Sequence, residues 1–245
     1  MCRLKRALYE LKQAPKAWYE CIERYLQGMG FVKSEADANL YYLVVGGEVL
    51  ILVLYVDDLF LTGSLGLIEE SKRDLAAEFE MKDLGLMYYF LGMEVWQTDG
   101  EIFLGQGKYC IEILRRFEME DCRAMSTPMI TNWKKVDTSR EKDVDPTLYR
   151  QLIGSLMYLV NTRPNISFAV NSLSQFMVEP KRVHWTAAKH VLRYLRGTIE
   201  YGIKYARGDG IRLIGYTDAD WAGSTTDRKS TSGCCFSLGS GVVSW

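Results

Sequence analysis

The chain has 245 residues, nearly half of them apolar and a quarter charged, with a net charge of −1. This excludes a low-complexity or disordered protein and a uniformly basic one, and leaves room for one large domain or two small ones. No apolar run reaches membrane-spanning length and the chain as given opens on no signal-like leader, so no membrane role is expected. The six cysteines show no Cys-x-x-Cys spacing, which points away from zinc and toward reduced thiols in an intracellular, cytoplasmic setting.

In chain order, Arg3, Lys5, Arg6 and Lys12 give a basic approach to a helix expected from Pro15. Trp18, Ile22, Tyr25, Leu26 and Met29 recur at helical spacing, and Gly28 and Gly30 end the element. Leu40 to Val45 and Glu48 onward read as strands joined across Gly46-Gly47. The second strand, rich in Val, Leu and Ile, reads as buried on both faces. It delivers Asp57 and Asp58 to a tight turn, and Leu59 to Leu61 return. Two adjacent acids repel unless a cation lies between them, and oxygen ligands favour Mg²⁺ or Mn²⁺. A solvated Asp-Asp turn is the plainer alternative.

A helix is expected over residues 67–81 with Lys82 at its end, where a cation is favourable. Met87 to Trp96 and Ile102 to Leu104 read as a hairpin across Asp99-Gly100. Gly92 within it marks either a bulge or a close backbone approach. Residues 107–119 suggest a helix, and the polar, aperiodic stretch around Pro128 a linker. Asp145-Pro146 caps an apolar helix, Pro164 opens a second, and Pro180 a third ending at Gly197.

On the third helix Arg182, Lys189, Arg193 and Arg196 share one face, opposite Val183, Ala187 and Val191. This is either the footprint of a phosphate backbone or a solvated amphipathic face. His184 and His190 lack a one-turn ligand spacing. Ile211 to Thr217 then reads as a strand ending at Asp218, with a hairpin over residues 239–241.

Tyr55-Val56-Asp57-Asp58 in its apolar frame resembles the Tyr-x-Asp-Asp box of reverse transcriptases, specifically those of copia-type LTR retrotransposons. The blocks Cys2 to Tyr19, Leu54 to Gly63, Phe79 to Gly85, Phe90 to Glu94, His184 to Thr198 and Thr217 to Gly223 follow the family's order. The resemblance implies an α+β fold. It consists of a reverse-transcriptase palm (an antiparallel sheet with helices), a helical thumb and connection region, and a truncated ribonuclease H-like α/β start. The corresponding spans are 1–104, 105–144, 145–207 and 208–245.

It further implies RNA-directed DNA synthesis by two metals, with Asp57 and Asp58 as catalytic ligands and Asp218 as a metal ligand of the ribonuclease H-like part. Gln13, Tyr55 and Lys82 are implied at the nucleotide, and Phe90, Leu91 and Gly92 in a primer grip. Expected partners are an RNA template, a DNA primer and deoxynucleoside triphosphates. The family's third palm Asp lies on a strand before the box matched by Leu11 to Pro15, and residues 1–14 contain no Asp. The expectation is a polyprotein fragment, inactive alone. The rival reading is a non-enzymatic nucleic-acid-binding remnant.

Overall fold

The computed structural model describes Lys12 and residues 14–130, 142–208, 210–219 and 230–245. They form two compact units, Met1–Gly85 and Leu86–Trp245. Among the described residues the architecture is mixed α/β, with antiparallel sheets and six α-helices. None of these helices is long and apolar enough to cross a membrane.

In the first unit, helix α1 (Ala14–Gly28) precedes strands β1 (Val32–Lys33), β2 (Leu40–Val45), β3 (Glu48–Tyr55) and β4 (Asp58–Gly63), and helix α2 (Leu65–Glu78) follows. The strands pair antiparallel in the order β1-β2-β3-β4. Gly46 and Gly47 join β2 to β3 with φ of 60° and 88°, the paired positive values of a type I′ turn. Leu50, Leu52 and Leu54 alternate onto one face and are buried with Ile22 and Leu26 of α1 and Leu67 and Leu75 of α2. Each such burial contributes about 1.5–3 kcal/mol. Ile51 and Val53, on the other face, are only half-buried. The expected two-sided burial is therefore one-sided, because both helices of the unit pack on the same face.

Helix α2 begins and ends earlier than its periodicity suggests. Phe79 leaves it with extended backbone, and its ring meets Trp18 and Tyr25 edge-on at 5.4 and 5.1 Å. That aromatic contact replaces another helical turn.

The second unit holds strands β5 (Tyr89–Phe90), β6 (Met93–Gln97), β7 (Glu101–Gly105) and β8 (Gly202–Ala206), in the order β5-β6-β7-β8. The expected strand over residues 87–96 is broken by a turn at Leu91–Gly92, while the β6–β7 hairpin forms as read. Helices α3 (Gly107–Arg116), α4 (Pro146–Leu159), α5 (Pro164–Ser174) and α6 (Arg182–Arg196) supply one apolar core. Leu152, Ile153, Leu156, Ile166, Leu173, Val191 and Leu195 are fully buried in it. Asp145 caps α4 by accepting from the Thr147 N–H at 2.8 Å, with Pro146 in the first turn.

Strand β8 follows α6 yet pairs with β7, so one sheet joins chain on both sides of the helices. Strands β9 (Leu213–Ala219), β10 (Ser232–Leu238) and β11 (Gly241–Ser244) form a separate sheet. It meets β8 where the Tyr205 hydroxyl donates to the Val242 carbonyl at 2.7 Å.

Candidate functional site

Tyr55 pairs with Asp58, which makes Val56 and Asp57 the two loop residues of the β3–β4 hairpin. The turn thus lies one residue earlier than expected, and Asp58 opens β4. Val56 has φ of 54° and Asp57 does not share the positive sign, the pattern of a type II′ turn that ordinarily asks for Gly first. A β-branched residue there is strained by an amount on the order of 1–3 kcal/mol. Trp18 on α1 holds the strained residue, its indole N–H donating to the Val56 carbonyl at 2.9 Å.

The turn displays Tyr55, Asp57 and Asp58 at the surface. Two exposed hard-oxygen donors suit Mg²⁺ or Mn²⁺ that keeps most of its own water. Asp57 and Asp58 are the residues that would hold it. Among the described residues no group of three or more His, Cys, Asp or Glu is placed to hold a metal. Among the described residues strand β4 is the edge of its sheet, and Asp58 stands at the start of that edge.

Gln13 lies outside the described residues. Lys82 is exposed and four residues past the end of α2, too far to serve the helix terminus as expected. Its neighbour Asp83 accepts from the Gly85 N–H at 2.9 Å and pairs with Lys72 at 3.1 Å, which holds the Asp83 carboxyl below its usual range.

In the second unit, Leu91 and Gly92 turn the β5–β6 hairpin with φ of 46° and 73°. The group that approaches Gly92 is Tyr158 of α4. Its hydroxyl donates to the Leu91 carbonyl, and a Cβ on Gly92 would strike that hydroxyl. Gly92 is therefore required by a neighbouring side chain.

The basic face of α6 is partly committed. Arg193 donates to the Arg123 carbonyl at 2.8 Å and Arg196 to the Glu120 carbonyl at 2.5 Å. With His190 against the Thr127 carbonyl at 3.0 Å, these side chains tie residues 120–127 along the helix. Lys189 lies over the Trp185 ring at 5.5 Å, and Arg182 is exposed. His184 is buried, accepts from the Lys181 N–H at 2.9 Å and stacks on Phe176. Burial first, and nearby Lys181 second, hold its pKa below the ordinary imidazole value.

Arg163, which no sequence pattern singled out, is 2% exposed. It donates to the Thr198 carbonyl at 2.8 Å, the Thr198 hydroxyl at 2.7 Å and Asn165 at 3.2 Å. Its guanidinium also lies near the Tyr194 and Tyr201 rings, and burial lowers its pKa. Asp218, at the exposed end of β9, accepts from the Ala219 N–H at 2.9 Å. It lines an open cleft of about 490 Å³ with Thr217, Ser232 and Cys234.

Residues 1–131 match the family described as reverse transcriptase (RNA-dependent DNA polymerase). The chain belongs to that family. It is 42% identical over its whole length to the retrovirus-related Pol polyprotein from transposon RE2 of Arabidopsis thaliana, and 39% to that from transposon TNT 1-94 of Nicotiana tabacum. It covers only 17% and 19% of these copia-type polyproteins. It is also 42% identical, over 79% of its length, to an uncharacterized mitochondrial protein of Arabidopsis thaliana, of which it covers 81%. No solved structure gives a significant match. Trp18 and Tyr158, which position the two turns, escaped the sequence reading because aromatics at helical spacing read as ordinary core.

Proposed function

We propose that this reverse-transcriptase family chain supplies the catalytic turn of an RNA-directed DNA polymerase, with Asp57 and Asp58 as ligands of Mg²⁺ or Mn²⁺. The observation that carries this reading is a pair of surface carboxylates on a strained turn, fixed by a side chain from another element. A relaxed solvated turn needs neither the strain nor the brace. When bound, the metal supplies charge stabilisation to the reacting phosphate and its attacking hydroxyl. Asp57 and Asp58 orient that charge, while Trp18 prevents the turn from relaxing away.

Two carboxylates leave a two-metal set incomplete. A third Asp, on a strand laid against the open β4 edge, would complete it, so residues 1–245 alone are proposed to be inactive. In the same reading Gln13, Tyr55 and Lys82 contact a deoxynucleoside triphosphate. Phe90, Leu91 and Gly92 face the primer, with the Tyr158 hydroxyl occupying the side where a Gly92 Cβ would lie. Arg182 and Lys189 lead the phosphate contacts, with Arg193 and Arg196 sharing theirs with residues 120–127. Asp218 is the first carboxylate of a ribonuclease H-like start. Spans 1–104, 105–144, 145–207 and 208–245 correspond to palm, thumb, connection and ribonuclease H-like portions.

Primer extension on an RNA template tests the reading. The chain fused in frame to a strand bearing the third Asp should incorporate nucleotides with Mg²⁺ or Mn²⁺. Asp57→Asn should abolish that incorporation. Undiminished incorporation by Asp57→Asn together with Asp58→Asn would overturn the assignment.

A further inference from the structure

The β5–β8 sheet has two unlike faces. Val95 and Ile203 are buried on one, with Leu104 between them. Pairing sets Tyr89 opposite Glu94, Trp96 opposite Phe103, and Phe103 opposite Lys204, so these side chains share the other face. There Tyr89 is 58% exposed and Trp96 50%. Gly105 and Gly202 are paired on the same face, and the Phe103 ring lies against both. Phe103 therefore covers the glycines, and Trp96 stands beside it with ring centres 5.4 Å apart.

Charge on this face is interleaved with the rings. Lys108 Nζ lies 5.9 Å from the Tyr89 ring centre and pairs with Glu94 at 3.4 Å, yet its side chain is largely exposed. Lys204 pairs with Glu101, both half-exposed, an interaction of the kind that contributes little and yields readily. Glu94 is buried and committed to the Lys108 N–H at the start of α3, at 3.0 Å. Every large exposed apolar side chain on the face is aromatic. A protein-docking surface would be depleted of Lys, whereas aromatic rings flanked by ammonium groups on a sheet suit unpaired bases and their phosphates.

We propose that this face binds single-stranded nucleic acid, with bases stacking on Trp96 and Tyr89 and phosphates meeting Lys108 and Lys204. The inference rests on the reading that the chain handles nucleic acid, but it does not depend on metal at Asp57 and Asp58. In primer extension such a surface would hold an unpaired strand without reading its sequence.

The test uses the full chain and a short fluorescein-labelled oligothymidylate, with an abasic strand of equal length and a blunt duplex as comparators, all without divalent metal. Trp96→Ala and Tyr89→Ala should each weaken oligothymidylate binding about tenfold, as expected for loss of one stacked base. Trp96→Phe, which keeps a ring, should retain most of it. Lys108→Ala and Lys204→Ala should reduce the salt dependence. Duplex binding should be unchanged in the Trp96 variants, whose folding is checked by circular dichroism. Equal affinity of the native chain for the abasic strand overturns the proposal, as does unchanged binding in Trp96→Ala. Asp57→Asn should leave single-strand affinity untouched, so failure of the metal reading and failure of this one are separable.

Discussion

Trp18 and Val56 are joined by a 2.9 Å hydrogen bond from the indole N–H to a backbone carbonyl, across 38 residues of sequence. The acceptor belongs to Val56, the residue of the β3–β4 turn held at positive φ. The bond therefore ties α1 to the orientation of Asp57 and Asp58.

Replacing Trp18 with Phe keeps the ring against Phe79 and removes the donor. A net loss of about 1 kcal/mol is expected in urea unfolding, the usual worth of one such bond. Val56→Gly acts oppositely, because Gly tolerates the left-handed region and Val56, at 66% exposure, loses little packing. A gain of about 1 kcal/mol is expected. Destabilisation by Val56→Gly would contradict the turn geometry.

Metal binding at Asp57 and Asp58 should be weak, since two carboxylates leave the ion largely hydrated. Mn²⁺ titration followed by water proton relaxation measures it. Asp57→Asn with Asp58→Asn should remove the signal. A tight site that survives both changes would show that the ion binds elsewhere.

Tyr158 and Gly92 should be energetically coupled. Gly92→Ala is expected to cost about 1–3 kcal/mol, from the clash with the Tyr158 hydroxyl and the positive φ together. Tyr158→Phe removes the clashing oxygen, so the double variant should recover part of that loss. Strict additivity in the double-mutant cycle would argue against the contact.

His184 should make stability depend on pH. Its folded pKa is depressed, so the folded state stays neutral where the unfolded chain takes up a proton. The contribution is complete above the unfolded value of about 6.5 and is lost as pH falls through the lower folded value. Urea midpoints should therefore drop below that pH. His184→Gln, which retains an acceptor for the Lys181 N–H, should flatten the drop.

Arg163→Lys should destabilise the chain by about 3 kcal/mol in urea unfolding. A single ammonium cannot reproduce the planar fork that serves both acceptors of Thr198, so two buried charge-assisted hydrogen bonds are lost or weakened. This holds even though the Thr198 hydroxyl still donates to the Tyr194 carbonyl and its carbonyl still accepts from the Tyr201 N–H. A loss no greater than that of an exposed Arg-to-Lys change would show that the buried fork contributes little.

The local features were legible in the sequence because the chemistry that forms them is local. Gly46-Gly47 specifies its turn through φ alone, Asp145-Pro146 announces a capped helix, and apolar spacing places the four helices of the second unit. The ordered blocks around Asp57 and Asp58 were enough to identify the family. Tertiary structure alone decided which residue bears the strain at Val56, and that β8 closes onto β7 from beyond α6. It also placed Tyr158 against Leu91 across 67 residues, and turned Arg193 and Arg196 toward carbonyls of residues 120–127. Such contacts pair a side chain with a backbone group far away in sequence. They leave no period and no spacing, so only the packed chain reveals them.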